Sequence, residues 1–216
     1  MHPTAIFHAE ADESAIAFIE AHPFATMAVN ADNGPQVALV PLVLADDEAG
    51  DTNRLMGHVA RHNPFWQAAA DGPVPAAAVF HGPDAYVSPS VYPSKQVDGR
   101  VVPTWNYIAL EVRGQLTVET RPDAIRPYLD AVTDKMEAHR AAPWQVSDAP
   151  DDYIDRLSGG IVGFELTVDE IKYVRKLSQN KSDSDHHGVH KSLATSPDPA
   201  AQLIAREMLK EKEGGG

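Results

Sequence analysis

From Tyr107 to Glu119 the chain reads YIALEVRGQLTVE, where Ile108, Leu110 and Val112 alternate with their neighbours and Leu116 and Val118 resume the pattern beyond Gly114. A period of two with apolar residues on one side is the signature of a strand that buries one face. The pattern predicts a long strand with a bulge or bend at Gly114, since glycine inside a strand marks such a site. A second long strand is predicted over 161–174, and shorter ones over 24–29, 36–44, 54–57 and 74–80. Asp32-Asn33-Gly34 supplies a turn between the first two of these.

Helical spacing is sparser. Ala15, Ile16, Phe18 and Ile19 lie near one face of a helix over about 12–21, capped by Asp12 and stopped at His22-Pro23. Asn63-Pro64 resembles an N-cap followed by proline in the first helical position, so a helix is expected over 64–70. Ile125, Leu129, Val132 and Met136 set a helix over 122–139, with Pro127 displacing or kinking its first turn. Further helices are expected at 151–157 and 198–211, the last with Leu203, Ile204, Met208 and Leu209 on its apolar side. Residues 81–104, rich in Pro, Ser, Gly and Tyr, read as a long functional loop. The stretch after Asn180 reads as a solvated polar loop, and the closing GGG as disordered. Strands dominate and helices are appended. The expected class is therefore mainly β with peripheral helices, a β-barrel rather than a doubly wound sheet, with a domain over 1–193 and a C-terminal tail carrying an amphipathic helix over 194–216.

Charge and composition narrow the function. Thirty-one Asp and Glu against eighteen Lys and Arg give a net charge of −13. A field of that sign opposes direct binding of duplex DNA, which needs a basic footprint. The absence of cysteine excludes disulfides and thiolate zinc sites. Without a signal-type N-terminus or a long apolar run, the chain is expected to be soluble and cytoplasmic, with no membrane association. No G-x-G-x-x-G follows a strand, and no G-x-S-x-G or H-E-x-x-H occurs. Catalytic residues are not legible. His186, His187 and His190 with Asp183 and Asp185 have the donors for zinc or nickel, but a solvated loop is the simpler reading and no metal is expected.

Three polar-aromatic islands stand out: GHVARHNPFW at 57–66, VPTWNY at 102–107 and KLSQNKSDSDHHGV at 176–189. Hydroxyl, amide and ammonium donors gathered behind strands suit a polar, anionic ligand. Together with FHGPDAYVSPSVYPS (80–94) and IVGFELTVDEIKYVRKLSQNKS (161–182), and in this order, they resemble the PaiB-type family. Its members are FMN-binding split barrels related to pyridoxamine-phosphate oxidases and described as FMN-binding negative transcriptional regulators. The resemblance runs from Met1 to about Leu193. It implies a six-stranded split β-barrel, a homodimer, and FMN at or near the subunit interface. Two departures occur: His2 stands where the family has tyrosine, and His186 where it has arginine.

The residues themselves suit FMN. A ribityl phosphate calls for cations, hydroxyls and backbone N–H groups, which Arg61, Lys176 and Ser178 can provide. The flavin ring needs a flat wall, for which Trp66, Tyr86, Trp105 and Tyr107 qualify, and amides such as Asn106, Gln179 and Asn180 match its pyrimidine edge. The expected cofactor-binding set is His58, Arg61, Asn63, Thr104, Trp105, Asn106, Lys176, Ser178, Gln179 and Asn180. Each has a plainer reading: Arg61 as a salt-bridge partner, Trp66 as packing, Asn106 as a turn residue. The functions kept open are a flavin-linked regulator acting through a partner protein, an FMN-dependent oxidoreductase, and a haem-binding split barrel with a histidine axial ligand.

Overall fold

A computed structural model describes residues 4–9, 13–45 and 53–214. His2, the expected cap Asp12, the acidic loop over 46–52 and the last two glycines of the closing run lie outside them.

Eight strands are present among the described residues: β1 (His8–Ala9), β2 (Phe24–Ala31), β3 (Gly34–Pro41), β4 (Val43–Ala45), β5 (Arg54–Ala60), β6 (Val74–Val87), β7 (Thr104–Glu119) and β8 (Ile161–Lys176). They join in the order β3-β2-β6-β7-β8-β5-β4, with β1 paired to β8. All the pairings with a resolved register are antiparallel. Six strands are seven residues or longer, the two short ones being β1 and β4, which reconciles the expected six with the observed eight. The helices are α1 (Glu13–Ala21), α2 (Arg126–Glu137), α3 (Asp151–Ser158), α4 (Asp183–Ala194) and α5 (Pro199–Gly214).

The chain forms two compact units interleaved in sequence. The larger comprises residues 12–80 and 111–171, the smaller 1–11, 81–110 and 172–216. β6, β7 and β8 each contribute residues to both.

In the larger unit the alternation of β2 buries Ala25, Met27 and Val29, and that of β7 buries Leu116, over a core that includes Phe65, Phe80 and Phe164. Val132 of α2 packs on Val43 of β4 and Met56 of β5, flanked by Tyr128. Glu165 accepts hydrogen bonds from Arg54 Nη1 at 3.0 Å and Tyr128 Oη at 3.2 Å, fixing α2 over the sheet. Gly114 lies inside β7, at the special position expected of it. The glycine is needed because a Cβ there would stand 1.8 Å from the Thr167 carbonyl oxygen of β8. Pro127 falls in the first turn of α2, behind a 3-10 turn at Pro122–Ala124. The helix is displaced rather than kinked, because a proline N–H is dispensable in a first turn.

The smaller unit differs more from expectation. β6 runs on to Val87, burying Ala85 and Val87 while Asp84 and Tyr86 face outward. The functional loop thus shrinks to residues 88–103, which include two short 3-10 turns. Residues 183–194 form helix α4, not a solvated loop. Ser182 Oγ accepts from Asp185 N at 3.3 Å as an N-cap, and Asp183 and Asp185 lie in the first turn, where the helix dipole favours negative charge. His186, Val189 and Leu193 form its buried stripe, with His186 5% exposed. Gly188 brings α4 against the preceding loop, since a Cβ there would meet the Val91 carbonyl oxygen at 2.2 Å.

The apolar side of α5 is Ala201, Ile204, Ala205 and Met208, all buried, whereas Leu203 and Leu209 are half exposed. Two alanines in the stripe permit a close approach that the expected leucines would prevent. Burying Ile204 and Met208 contributes about 1.5–3 kcal/mol each. Arg175 of β8 adds a two-pronged clasp, donating to Glu207 Oε2 and Glu211 Oε2 at 3.1 Å each.

Candidate functional site

The smaller unit gathers much of the predicted set where β7 begins and β8 ends. Lys176 Nζ donates to Thr104 Oγ1 and to the Trp105 carbonyl oxygen, each at 2.6 Å. Its ammonium also lies 5.9 Å from the centre of the Phe7 ring, a cation–π contact. Burial, assisted by the like charge of Lys181, lowers the Lys176 pKa from its ordinary value.

Two residues on, Ser178 has φ +65°, a left-handed conformation that non-glycine residues adopt at a cost of order 1–3 kcal/mol. Ser178 is 3% exposed, and its Oγ donates to Asn106 Oδ1 at 3.0 Å. Asn106 is 1% exposed, and its Nδ2 donates to the Met208 sulfur at 3.8 Å. Gln179 folds back on the main chain, its Oε1 accepting from Leu177 N at 2.7 Å and its Nε2 donating to Arg175 O at 2.6 Å. That local clasp closes the turn that holds Ser178. Asn180 is exposed.

Beside this node Tyr86 and Trp105 form an edge-to-face pair, centroids 5.8 Å apart, each about half exposed. Lys181 Nζ lies 5.0 Å from the centre of the buried Tyr92 ring. Asp185, held below the usual carboxylate range chiefly by the Ser94 N–H, also accepts from Ser94 Oγ at 2.8 Å. Lys181 belongs to the island of donors read from sequence, although not to the expected cofactor-binding set, whereas Tyr92 and Asp185 were not singled out for the flavin. The lysine is legible as a second cation five residues beyond Lys176. The smaller unit has ten Lys and Arg against nine Asp and Glu, a net charge of +1, leaving −14 on the larger. The local field around the node is therefore compatible with an anion despite the mean.

His58, Arg61 and Asn63 belong to the larger unit. The Arg61 guanidinium donates to three carbonyl oxygens: Thr120 at 2.6 Å, Gly159 at 2.8 Å and Ile161 at 3.0 Å. Its own carbonyl accepts from Trp66 Nε1 at 2.8 Å. Asn63 Oδ1 accepts from Phe65 N at 3.0 Å, capping a 3-10 turn at Pro64–Ala69 where an α-helix was expected. Burial lowers the His58 pKa, and its Nδ1 has no hydrogen-bond partner among the described residues. No group of three or more His, Asp or Glu is placed to hold a metal ion among the described residues.

With this geometry in place, comparison assigns the fold. It is a mainly antiparallel split barrel with helices, the arrangement also seen in the FAD and haem binding protein from Mycobacterium smegmatis. That structure is 19% identical, with a TM-score of 0.58 over 82% of this chain and 78% of the other. The flavocytochrome Anf3 from Azotobacter vinelandii is 11% identical, with a TM-score of 0.52 over 81% and 72%. The model of the family described as "Putative FMN-binding domain" matches residues 1–170, and the chain belongs to that family, whose cofactor is FMN. It is 30% identical over 198 residues to the protease synthase and sporulation protein PAI 2 of Bacillus subtilis, covering 90% of this chain and 89% of that protein.

The residues of the node fit the group. A half-buried ammonium and two half-exposed aromatic faces are a cation and walls that would suit a flavin mononucleotide, while the Asn106 amide and Ser178 hydroxyl are buried and bonded to one another. Bound there, FMN would supply one- or two-electron chemistry, with Lys176 supplying charge and Trp105 and Tyr86 orientation. Among the described residues, no helix is long and apolar enough to cross a membrane.

Proposed function

We propose that this chain is a flavin-linked regulator that binds FMN through Thr104, Trp105, Asn106, Lys176, Ser178, Gln179 and Asn180. In this reading it works as a cytoplasmic homodimer and acts on transcription through a partner protein. The single observation that carries the ligand part is the Lys176–Thr104–Trp105 node with Ser178 held in a left-handed conformation beside it. Strain kept at a buried polar cluster is characteristic of ligand sites. Lys176, with Lys181 as a second cation, meets the phosphate, while Trp105 and Tyr86 offer their faces to the ring.

The test is a fluorescence titration of flavin-free protein with FMN and with riboflavin, which lacks the phosphate. Lys176→Met is expected to weaken FMN by about 1.5–3 kcal/mol, the range for a charge-assisted hydrogen bond, and riboflavin much less. Equal losses for both ligands would remove Lys176 from the phosphate.

The dimer and the DNA reading share a second experiment. Support for self-association comes from an apolar row on the outward side of β2 and β3, where Phe24, Val37 and Leu39 are 62, 59 and 64% exposed. Exposed apolar rows of this kind mark contact surfaces. In sedimentation of the FMN-loaded protein with labelled duplex DNA, a dimer mass is expected without co-sedimenting DNA, because −13 opposes phosphate contacts. A monomer at micromolar concentration would sink the first part, and salt-sensitive migration with the duplex the second.

A further inference from the structure

The larger unit holds a second candidate site, unconnected with flavin chemistry. A cavity of about 180 Å³ opens beside α1, β4 and the end of α2. Ile19, Leu42, Val43 and Met136 line its apolar part, the first three no more than 4% exposed. Glu20 and Lys135 also line it, and the Lys135 ammonium donates to Glu20 Oε1 at 2.9 Å. Both charged side chains are about half exposed, so the ion pair lies at the solvent side and the aliphatic residues lie behind it.

We propose that this cavity binds a free α-amino acid with a small apolar side chain, the branched aliphatic ones above all. Charge and volume both favour such a ligand. An apolar cavity of about 150 Å³ accommodates a benzene ring, so the space here holds a branched four-carbon side chain. The ammonium and carboxylate of an α-amino acid flank a single carbon. They can therefore engage both members of one ion pair, the ammonium Glu20 and the carboxylate Lys135. A zwitterion brings no net charge, which matters in a unit whose formal charge is −14. A simple carboxylate would enter against that field and leave Glu20 competing for Lys135. A simple amine would displace Lys135 from Glu20 into solvent and so exchange one ion pair for another with no net gain. Only the zwitterion replaces one ion pair with two.

The experiment is isothermal titration of the full, FMN-loaded chain with L-leucine, 4-methylpentanoate and isoamylamine. The last two carry the leucine side chain with one charged group each. Leucine is expected to bind, and each analogue about tenfold more weakly or worse, a modest factor because the pair is partly solvated. Glu20→Gln should bring leucine down to the level of 4-methylpentanoate, and Lys135→Met to that of isoamylamine. Both variants should keep the thermal unfolding midpoint close to that of the parent, since half-exposed pairs contribute little to stability. Failure of leucine to bind the parent protein, or binding of either analogue as tightly as leucine, would overturn the assignment. The outcome is separable from the flavin reading, because neither variant touches the Lys176 node and the same titration on flavin-free protein should give the same ranking.

Discussion

Gly114→Ala is expected to destroy the fold, with a loss of about 4 kcal/mol or more against a total of about 5–15 kcal/mol for a domain. The added methyl would fall 1.8 Å from the Thr167 carbonyl oxygen, 2.8 Å from its carbonyl carbon and 3.3 Å from the Val168 Cα. All three atoms are backbone of β8, so no side chain can rotate out of the way. Relief requires the strands to part, which exposes ladder groups that are costly to leave unpaired. Gly159→Ala is the control, because its Cβ would find only the Arg156 carbonyl oxygen at 3.5 Å and φ is −60°. That substitution should be neutral or stabilising by about 0.4–1 kcal/mol. Urea unfolding of the two variants checks the contrast. A Gly114→Ala protein with the parent's midpoint would mean the strands are not so closely apposed.

Arg61→Ala should be the next most damaging change. Its guanidinium satisfies carbonyl oxygens at Thr120, Gly159 and Ile161, tying the end of β7 to the start of β8. Removing it leaves three acceptors to water, a loss of about 2–4 kcal/mol for partly exposed, charge-assisted bonds. Lysine cannot reproduce the planar fork, so Arg61→Lys should recover little. Because the side chain is engaged by main-chain oxygens, FMN and riboflavin affinities, measured per folded molecule, should fall together or not at all. A selective loss of FMN would restore the phosphate role that the residue type suggests.

The contrast between Arg61 and Lys176 shows where a sequence informs and where it falls short. Arginine behind a strand has the right chemistry for a phosphate. Whether its fork meets a ligand or three carbonyls depends on residues 59 to 100 positions away, a separation that local pattern does not encode. Lys176 and Thr104 are 72 positions apart for the same reason. Their types were legible, their pairing was not. The long strands were legible because period-two burial is written residue by residue in β7 and β8. Helix α4 was not, because its buried stripe begins with a histidine and its first turn is acidic, so DSDHHGVH scores as polar although Ser182 caps it. Gly114 was legible as a special position, but the reason for it lies in β8 and not in its own strand.

The interleaving of the two units has a consequence for how the protein comes into being. Residues of the larger unit are all present once synthesis has passed position 171, whereas the smaller unit needs α4 and α5 as well. At about 5–20 residues per second, translating the segment 172–216 takes roughly 2–9 s. During that interval the 81–110 segment, which carries the ends of β6 and β7, waits on the ribosome without its closing helices. The Asn106 amide, which meets the Met208 sulfur of α5 in the folded protein, stands without that partner meanwhile. The smaller unit therefore closes after the larger one, with a polar core group waiting for a helix about a hundred residues further along the chain.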